Sequence, residues 1–372
     1  MEFVFTPEQI ELRDSLRRFL EARSPETEVR RLMATTEGYD KDVWARLTAE
    51  LGLTALLVPE EYGGLGFTFL ETSIALEEMG RALLCAPFLS SILATTALLA
   101  AADESACKDL LPGIADGTTL ATVAYMEGPH DWAGRSTAVV AEPVGTGWAL
   151  TGTKRFVLDA NCADLILVFA QTDQGASLFA VDATANGLRR ESLATMDETR
   201  KLGDVAFDAT PARLVGAPGS AADVLAHTLD VAATAVAAEQ VGGCQRVLDM
   251  SVDYAKIRVQ FGRPIGSFQA IKHKCADMFL AVESARSAAQ HAAWAVAQNP
   301  AELPVAACIA KAHCSEAFSA AAAENIQIHG GIGFTWEHPA HLYFKRAKSA
   351  ALLFGDAVYH RQLIARRLGI AK

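Results

Sequence analysis

The chain has 372 residues, with 33 Lys and Arg against 44 Asp and Glu and a net charge of −11. That length suits one large three-part fold or two or three small domains around a sizeable core, and the charge argues against nucleic acid or an anionic membrane as the main partner. Seven cysteines without a CxxC pair or a zinc-ligand spacing, and no signal-peptide pattern, predict free thiols in a reducing cytoplasmic setting and no metal site.

From Thr6 to about Leu111 the apolar spacing is helical. Thr6-Pro7-Glu8-Gln9 reads as an N-cap, a first-position proline and an acidic first turn, followed by Ile10, Leu12, Leu16 and Leu20 at mostly helical spacing. The stretch from Ala82 to Ala102 carries no charged residue and is long enough to span a bilayer. Pro87, Ser90, Ser91, Thr95 and Thr96 interrupt it and no aromatic belt flanks it, which predicts a buried core helix and no membrane span. Between about Thr118 and Arg213 short apolar runs bounded by Gly, Asp and Asn predict an antiparallel β-domain.

From Ala221 onward long alanine-rich helices return. Glu239 stands in Ala237-Ala238-Glu239-Gln240-Val241, an otherwise apolar run, so its carboxylate is buried or at an interface. In Arg258-Val259-Gln260-Phe261-Gly262-Arg263-Pro264 the helix stops in a turn, with Ser267 as the expected N-cap of the next helix. Arg258 can reach a diphosphate in bidentate fashion, while Phe261, Phe268 and Gln269 can meet a flat ring and its polar edge. Phe268, Ile271, Cys275, Met278, Phe279 and Val282 form an apolar stripe that reads as core. Near the C-terminus, Gln327-Ile328-His329-Gly330-Gly331-Ile332-Gly333 places three glycines where a ligand can approach the backbone.

These two motifs, with Trp44 to Leu53 and Pro59-Glu60-Glu61-Tyr62-Gly63-Gly64-Leu65-Gly66, resemble the acyl-CoA dehydrogenase family in the same order from about Phe5 to Gly369. The resemblance implies an α+β fold: an N-terminal helical domain (1–117), a middle antiparallel β-domain (118–218) and a C-terminal four-helix-bundle domain (219–372). It also implies FAD as cofactor, an acyl-CoA substrate, and an electron-transfer flavoprotein or similar acceptor. Arg258, Phe261, Phe268, Gln269, Gln327 and Gly331 are then expected to hold the ADP half of FAD, in the family that of a neighbouring subunit.

In the family a carboxylate removes the α-proton of the thioester while the β-hydrogen leaves as hydride to flavin. The commonest base position falls on Phe354, and the alternative, on the helix leading to Arg258, falls on Ala232. The nearest carboxylates are Glu239, seven residues along the same helix and about 10.5 Å further on, and Asp356, for which a cofactor or structural role is expected. The two segments that usually bind the flavin ring fall on Tyr125-Met126-Glu127 and Phe156-Val157-Leu158, where both family threonines are replaced by apolar residues. A kept ADP-half site beside a degraded ring site and base resembles one subunit of a heteromeric α2β2 enzyme acting on bulky or steroid side-chain thioesters. The expectation is therefore an FAD-dependent dehydrogenase, working as a homo- or heterotetramer with a second chain of the family and with Glu239 as the candidate base. The alternatives are a non-catalytic subunit completing a partner's FAD site, or a divergent flavin oxidase or monooxygenase.

Overall fold

The computed structural model describes residues 5–371. In chain order it contains α1 (Pro7–Arg23), α2 (Glu26–Met33), α3 (Lys41–Ala49), α4 (Phe69–Ala82), α5 (Phe88–Ala101) and α6 (Glu104–Ala115). There follow β1 (Ala121–Ala124), β2 (Val140–Val144), β3 (Gly147–Leu158), β4 (Leu165–Thr172), β5 (Gly175–Asp182), β6 (Leu188–Ser192) and β7 (Leu202–Val215). Helix α7 (Ala221–Ile257) leads into a small hairpin, β8 (Val259–Gln260) and β9 (Arg263–Pro264), and then α8 (Gln269–Gln298), α9 (Leu303–His329), α10 (Ala340–Leu352) and α11 (Ala357–Arg367). The chain divides into two compact units, one of Met1–Val29, Phe69–Leu84 and Ala233–Lys372, the other of Arg30–Thr68 and Cys85–Ala232.

The first unit is helical. Its N-terminus is set as the sequence predicts: Thr6 Oγ1 accepts from Gln9 N at 3.3 Å and Gln9 Oε1 from Thr6 N at 3.1 Å, a reciprocal capping box. α8 packs on α9, and α9 on α10 and α11, while α4 lies against α8. Of the stripe expected to be core, Met278 and Val282 are buried, but Phe279 is exposed together with its neighbour Leu280. That outward apolar face is the kind that marks an interaction surface.

The second unit is built on a seven-stranded sheet in which β4, β2, β3, β7 and β5 pair in sequence and β5 returns to β4. Its core is made by Val139, Leu150, Ile166, Val168, Phe179 and Val205 among others. The sheet is antiparallel except where β4 runs parallel to β1 and meets β2 in parallel register. β4 is buried over nearly its whole length, so its continuous apolar run, without alternation, reflects cover on both faces.

The segment from Ala82 to Ala102 is not one long helix. α4 ends at Ala82, Leu83 takes a left-handed φ of 49°, and only the 14 residues of α5 continue as helix, buried from Phe88 to Leu98. Among the described residues, the helix long and apolar enough to cross a membrane is instead α7, with 37 residues and a mean hydropathy of 1.3 over its most apolar window, and most of that window is buried inside the protein.

Candidate functional site

At the end of α7 the backbone N–H of Arg258 donates to Tyr254 O at 2.9 Å, leaving the Arg258 side chain exposed one turn beyond Tyr254. β8 and β9 pair across a two-residue turn whose central residues, Phe261 and Gly262, have φ of 54° and 77°. Two left-handed residues in succession make the primed turn that matches strand twist. Glycine adopts that conformation freely, whereas a phenylalanine does so only under strain. Yet Phe261 is 89% exposed, so little burial within its own chain offsets the strain, and such residues concentrate where ligands or partners bind. Phe268 meets Phe261 edge-on at 6.0 Å and carries the Arg263 guanidinium over its face at 4.2 Å. Ser267 does not cap the following helix. It closes a short 3-10 turn, and α8 begins at Gln269 behind Phe268, which has no side-chain cap to give.

The second motif reaches the same end of the unit. Tyr254 stacks on His329 at 4.3 Å, His329 lies 4.3 Å from the ring of His338, and Ser251 Oγ donates to Asn325 Oδ1 at 2.9 Å. Gln327 and Gly331 are exposed beside this anchor. A Cβ added at Gly330 or Gly331 would meet no atom within 4 Å, whereas at Gly333 it would lie 2.9 Å from His329 Cβ. The backbone of Gly330 and Gly331 is therefore open to an approaching ligand, and Gly333 serves packing. An exposed guanidinium, exposed amides and this open glycine backbone suit an adenosine diphosphate moiety. Phe334 and Trp336, both exposed, extend the apolar surface around them.

Phe354, at the position expected to carry the base, is an apolar residue held in an unusual way. Phe354 is buried with φ of 58°, and Gly355 follows at φ of 107°. Beneath this turn Lys311 Nζ, on α9, donates to Gly355 O at 2.8 Å, Ala351 O at 3.2 Å and Ser315 Oγ at 3.2 Å. His360 Nε2, on α11, donates to Phe354 O at 3.0 Å, and its Nδ1 lies 3.3 Å from Cys308 Sγ, which also accepts from Arg367 Nη1 at 3.1 Å. Burial pushes Lys311 down to about 7, and burial, aided by the nearby Lys311 charge, pushes His360 down to about 3. Asp356 Oδ1 accepts from Tyr359 N at 2.8 Å, so this carboxylate caps α11, the structural role expected of it.

The His360 shift has a measurable consequence. The unfolded chain binds a proton near pH 6.5 that the folded chain refuses until about pH 3, so the stabilisation is complete above pH 6.5 and is lost as pH falls toward 3. The slope reaches about 1.4 kcal/mol per pH unit. His360→Gln, which keeps an N–H for Phe354 O, is expected to flatten the fall in urea midpoint between pH 6.5 and 5 relative to the unsubstituted protein. Parallel curves would remove His360 as its source.

Glu239 lies where α7 crosses α4. A Cβ at Gly80 would sit 2.0 Å from Glu239 O, and one at Gly242 only 1.7 Å from Glu77 O, so the two helices meet backbone to backbone. Glu239 is 9% exposed there, and its neighbour Gln240 donates to Ser315 Oγ at 3.0 Å, the same hydroxyl that accepts from Lys311. Ala232, two turns earlier on α7, is buried completely.

In the second unit the ring-binding segments carry a buried ion pair. Lys154 Nζ donates to Glu127 Oε1 at 2.6 Å and to Tyr125 O at 3.1 Å, and Glu127 also accepts from Ala138 N at 2.7 Å and Val139 N at 3.0 Å. Burial lowers the Lys154 pKa, opposed by the Glu127 hydrogen bond. A bulge between Lys154 and Val157 leaves Phe156 left-handed, at φ of 56°. Met126 and Leu158, at the two threonine positions, are both buried and bring no hydroxyl. The segment expected to bind the ring thus carries a buried ion pair and no side-chain hydroxyl at Met126 or Leu158. Among the described residues no cluster of His, Cys, Asp and Glu could hold a metal.

Sequence reasoning passed over Lys311, His360 and Lys154. Lys311 left a signal: it is the one charge between Leu303 and Ala312 in an apolar helix, where a lysine is buried only if its ammonium finds acceptors.

Known proteins resemble this chain over nearly its full length. Residues 6–118, 127–210 and 222–369 match the N-terminal, middle and C-terminal domains of acyl-CoA dehydrogenase. The acyl-CoA dehydrogenase IpdE2 of Mycobacterium tuberculosis is 37% identical over 350 residues, covering 92% of this chain and 91% of that protein. A chain of the ChsE4-ChsE5 complex from Mycobacterium tuberculosis superposes with a TM-score of 0.91 at 30% identity over 100% of both chains. A chain of a variant of the steroid ACAD Tcur3481-Tcur3483 does so with a TM-score of 0.87 at 33% identity over 98% of both. The three-domain match, the identity and the shared architecture place the chain in the acyl-CoA dehydrogenase family of FAD-dependent oxidoreductases.

Proposed function

We propose that the chain is one subunit of a heteromeric acyl-CoA dehydrogenase that introduces an α,β double bond into a bulky acyl-CoA thioester, steroid side chains among them. The observation that carries this reading is the split in the site's condition. The ADP-half surface, with Arg258, Phe261, Phe268, Gln269, Gln327 and Gly331, is kept and faces outward. The base position holds a buried Phe354, and the ring segment offers Met126 and Leu158 where hydroxyls are expected. A chain of this kind fits a neighbour whose ring site is intact. The relatives support the same direction, since one solved neighbour is a complex of two named chains and another is a steroid ACAD.

Within such an assembly FAD, when bound, supplies the acceptor for the β-hydrogen. Arg258 neutralises diphosphate charge, and Phe261 and Phe268 give an apolar seat beside it. Glu239 is assigned the proton: it is a nearly buried carboxylate on α7, on almost the same helical face as Ala232, and the α4–α7 backbone contact fixes its position. A bulky acyl group entering at a different depth would bring its α-carbon to a carboxylate two turns along.

Expression alone and with a second dehydrogenase-like chain tests the reading. The chain alone should purify without yellow colour, and the co-expressed pair should carry FAD and reduce an artificial acceptor with a bulky acyl-CoA. Full flavin loading and turnover by the chain alone would overturn the heteromer. In the pair, Arg258→Ala should weaken flavin binding by about ten- to hundred-fold, because a charged hydrogen bond contributes about 1.5–3 kcal/mol. Unchanged flavin affinity by fluorescence titration would remove Arg258 from the site.

A further inference from the structure

A cavity of about 320 Å³ lies in the helical unit between α1, the start of α2, the end of α4, α7 and α10. Its wall is mostly apolar, with Leu20, Val29, Leu83, Met250 and Leu342 exposing carbon to the space. Three arginines also face it, and they differ in how they are neutralised. Arg17 is held by Glu78 through two contacts, at 2.9 Å and 2.5 Å. Arg81 pairs with Asp249 at 2.6 Å. Arg246 makes no ion pair among the described residues, and its polar neighbour is the Tyr343 hydroxyl, which already donates to Arg81 O at 2.7 Å. That neutral hydroxyl can accept from Arg246 but brings it no counter-charge. Of the two other carboxylates on the wall, Glu21 is exposed and Glu26 has interactions of its own.

The cavity is also shaped by a costly conformation. Leu83 takes the left-handed position after α4 that normally belongs to glycine, with Leu84 N donating to Met79 O at 3.0 Å to close the helix. A leucine there costs about 1–2 kcal/mol, and the result is a buried isobutyl group in the cavity wall. An apolar chamber with one half-buried, uncompensated guanidinium is the recognition pattern for an amphipathic anion.

We propose that this cavity binds a free carboxylic acid with a compact apolar body, its carboxylate on Arg246 and its carbon skeleton against Leu20, Leu83, Met250 and Leu342. A volume of 320 Å³ holds about ten water- or methylene-sized groups, which is the size of a medium-chain acid. A thioester carbonyl carries no charge to match Arg246, so the site distinguishes a free acid from the acyl-CoA that the family oxidises. The occupant is therefore of the class released by thioester hydrolysis, and none of the six residues of the cofactor surface lines this cavity.

Octanoate is the probe. Binding to the assembled, flavin-loaded protein is measured by isothermal titration at pH 7, with a saturating acyl-CoA present to occupy the active site, for the unsubstituted protein and for Arg246→Gln and Arg246→Lys. One equivalent of octanoate is expected to bind, with affinity reduced about ten- to hundred-fold in Arg246→Gln and by less in Arg246→Lys, while octan-1-ol binds all three weakly and alike. Arg246→Lys keeps a cation in place if Arg246→Gln fails to fold. Absence of octanoate binding to the unsubstituted protein, or equal affinity in the variants, overturns the proposal. Octan-1-ol binding as tightly as octanoate does so too, because it would show that no charge is read.

Discussion

Glu239→Gln in the assembled, flavin-loaded enzyme is expected to lower turnover by about 10²–10⁴-fold, the usual contribution of a positioned general base. The amide keeps the size of the carboxylate and most of its hydrogen bonding but cannot take a proton. Flavin content and subunit composition should stay unchanged. The α4–α7 crossing brings backbone against backbone at Gly80 and Gly242, and the amide keeps an acceptor oxygen for the interactions Glu239 makes. Straight-chain acyl-CoAs should be poor substrates, because the α-carbon must reach two turns beyond Ala232. Near-normal turnover in the variant would remove Glu239 as the base and leave Asp356 or a partner chain as the proton acceptor. Loss of flavin or of assembly would make Glu239 an interface carboxylate.

Lys154→Met is expected to destabilise the β-unit by about 3–5 kcal/mol, since removing one member of a buried ion pair strands the other. The Lys154 and Glu127 side chains are 2% and 5% exposed, so water cannot replace the lost partner. Adding Glu127→Gln should return part of the loss, because the amide oxygen still accepts from Ala138 or Val139 N and no bare charge remains. Urea denaturation followed at the β-unit reads both effects. A single variant as stable as the parent, or a double variant no better than the single one, would show that the pair is not what holds this corner of the sheet.

Much of the fold was legible. The Thr6 cap, the helical N-terminal region, the strand region and the long α7 all announced themselves through period and punctuation. Local readings failed where distant chain decided the outcome. Ser267 is the best N-cap residue in its neighbourhood, yet α8 starts two residues later, because the Phe261–Gly262 hairpin and the Arg263–Phe268 contact dictate where the chain turns. The parallel pairing of β1 with β4 joins residues some 44 positions apart, such as Ala121 with Leu165, and alternation within a strand carries no word of its neighbour's direction. Leu83 gave no sign at all, since a leucine forecasts neither a helix end nor a left-handed backbone. Within the site, the residue types that bind diphosphate were visible as a motif. Lys311 and His360, which hold the Phe354 turn from below, were not, because their role depends on carbonyls supplied by another helix end.

The outward-facing Phe261, with Phe334 and Trp336 near it, also sets terms for the cell that makes this chain. A subunit released from the ribosome with such rings bare is a client for chaperones and proteases until something covers them. If the heteromer proposed above forms, its abundance should follow that of its partner, and unequal synthesis would be corrected by disposal of the surplus. Gene dosage of either chain alone would then change little, and the assembled enzyme would be metered by whichever chain is made more slowly.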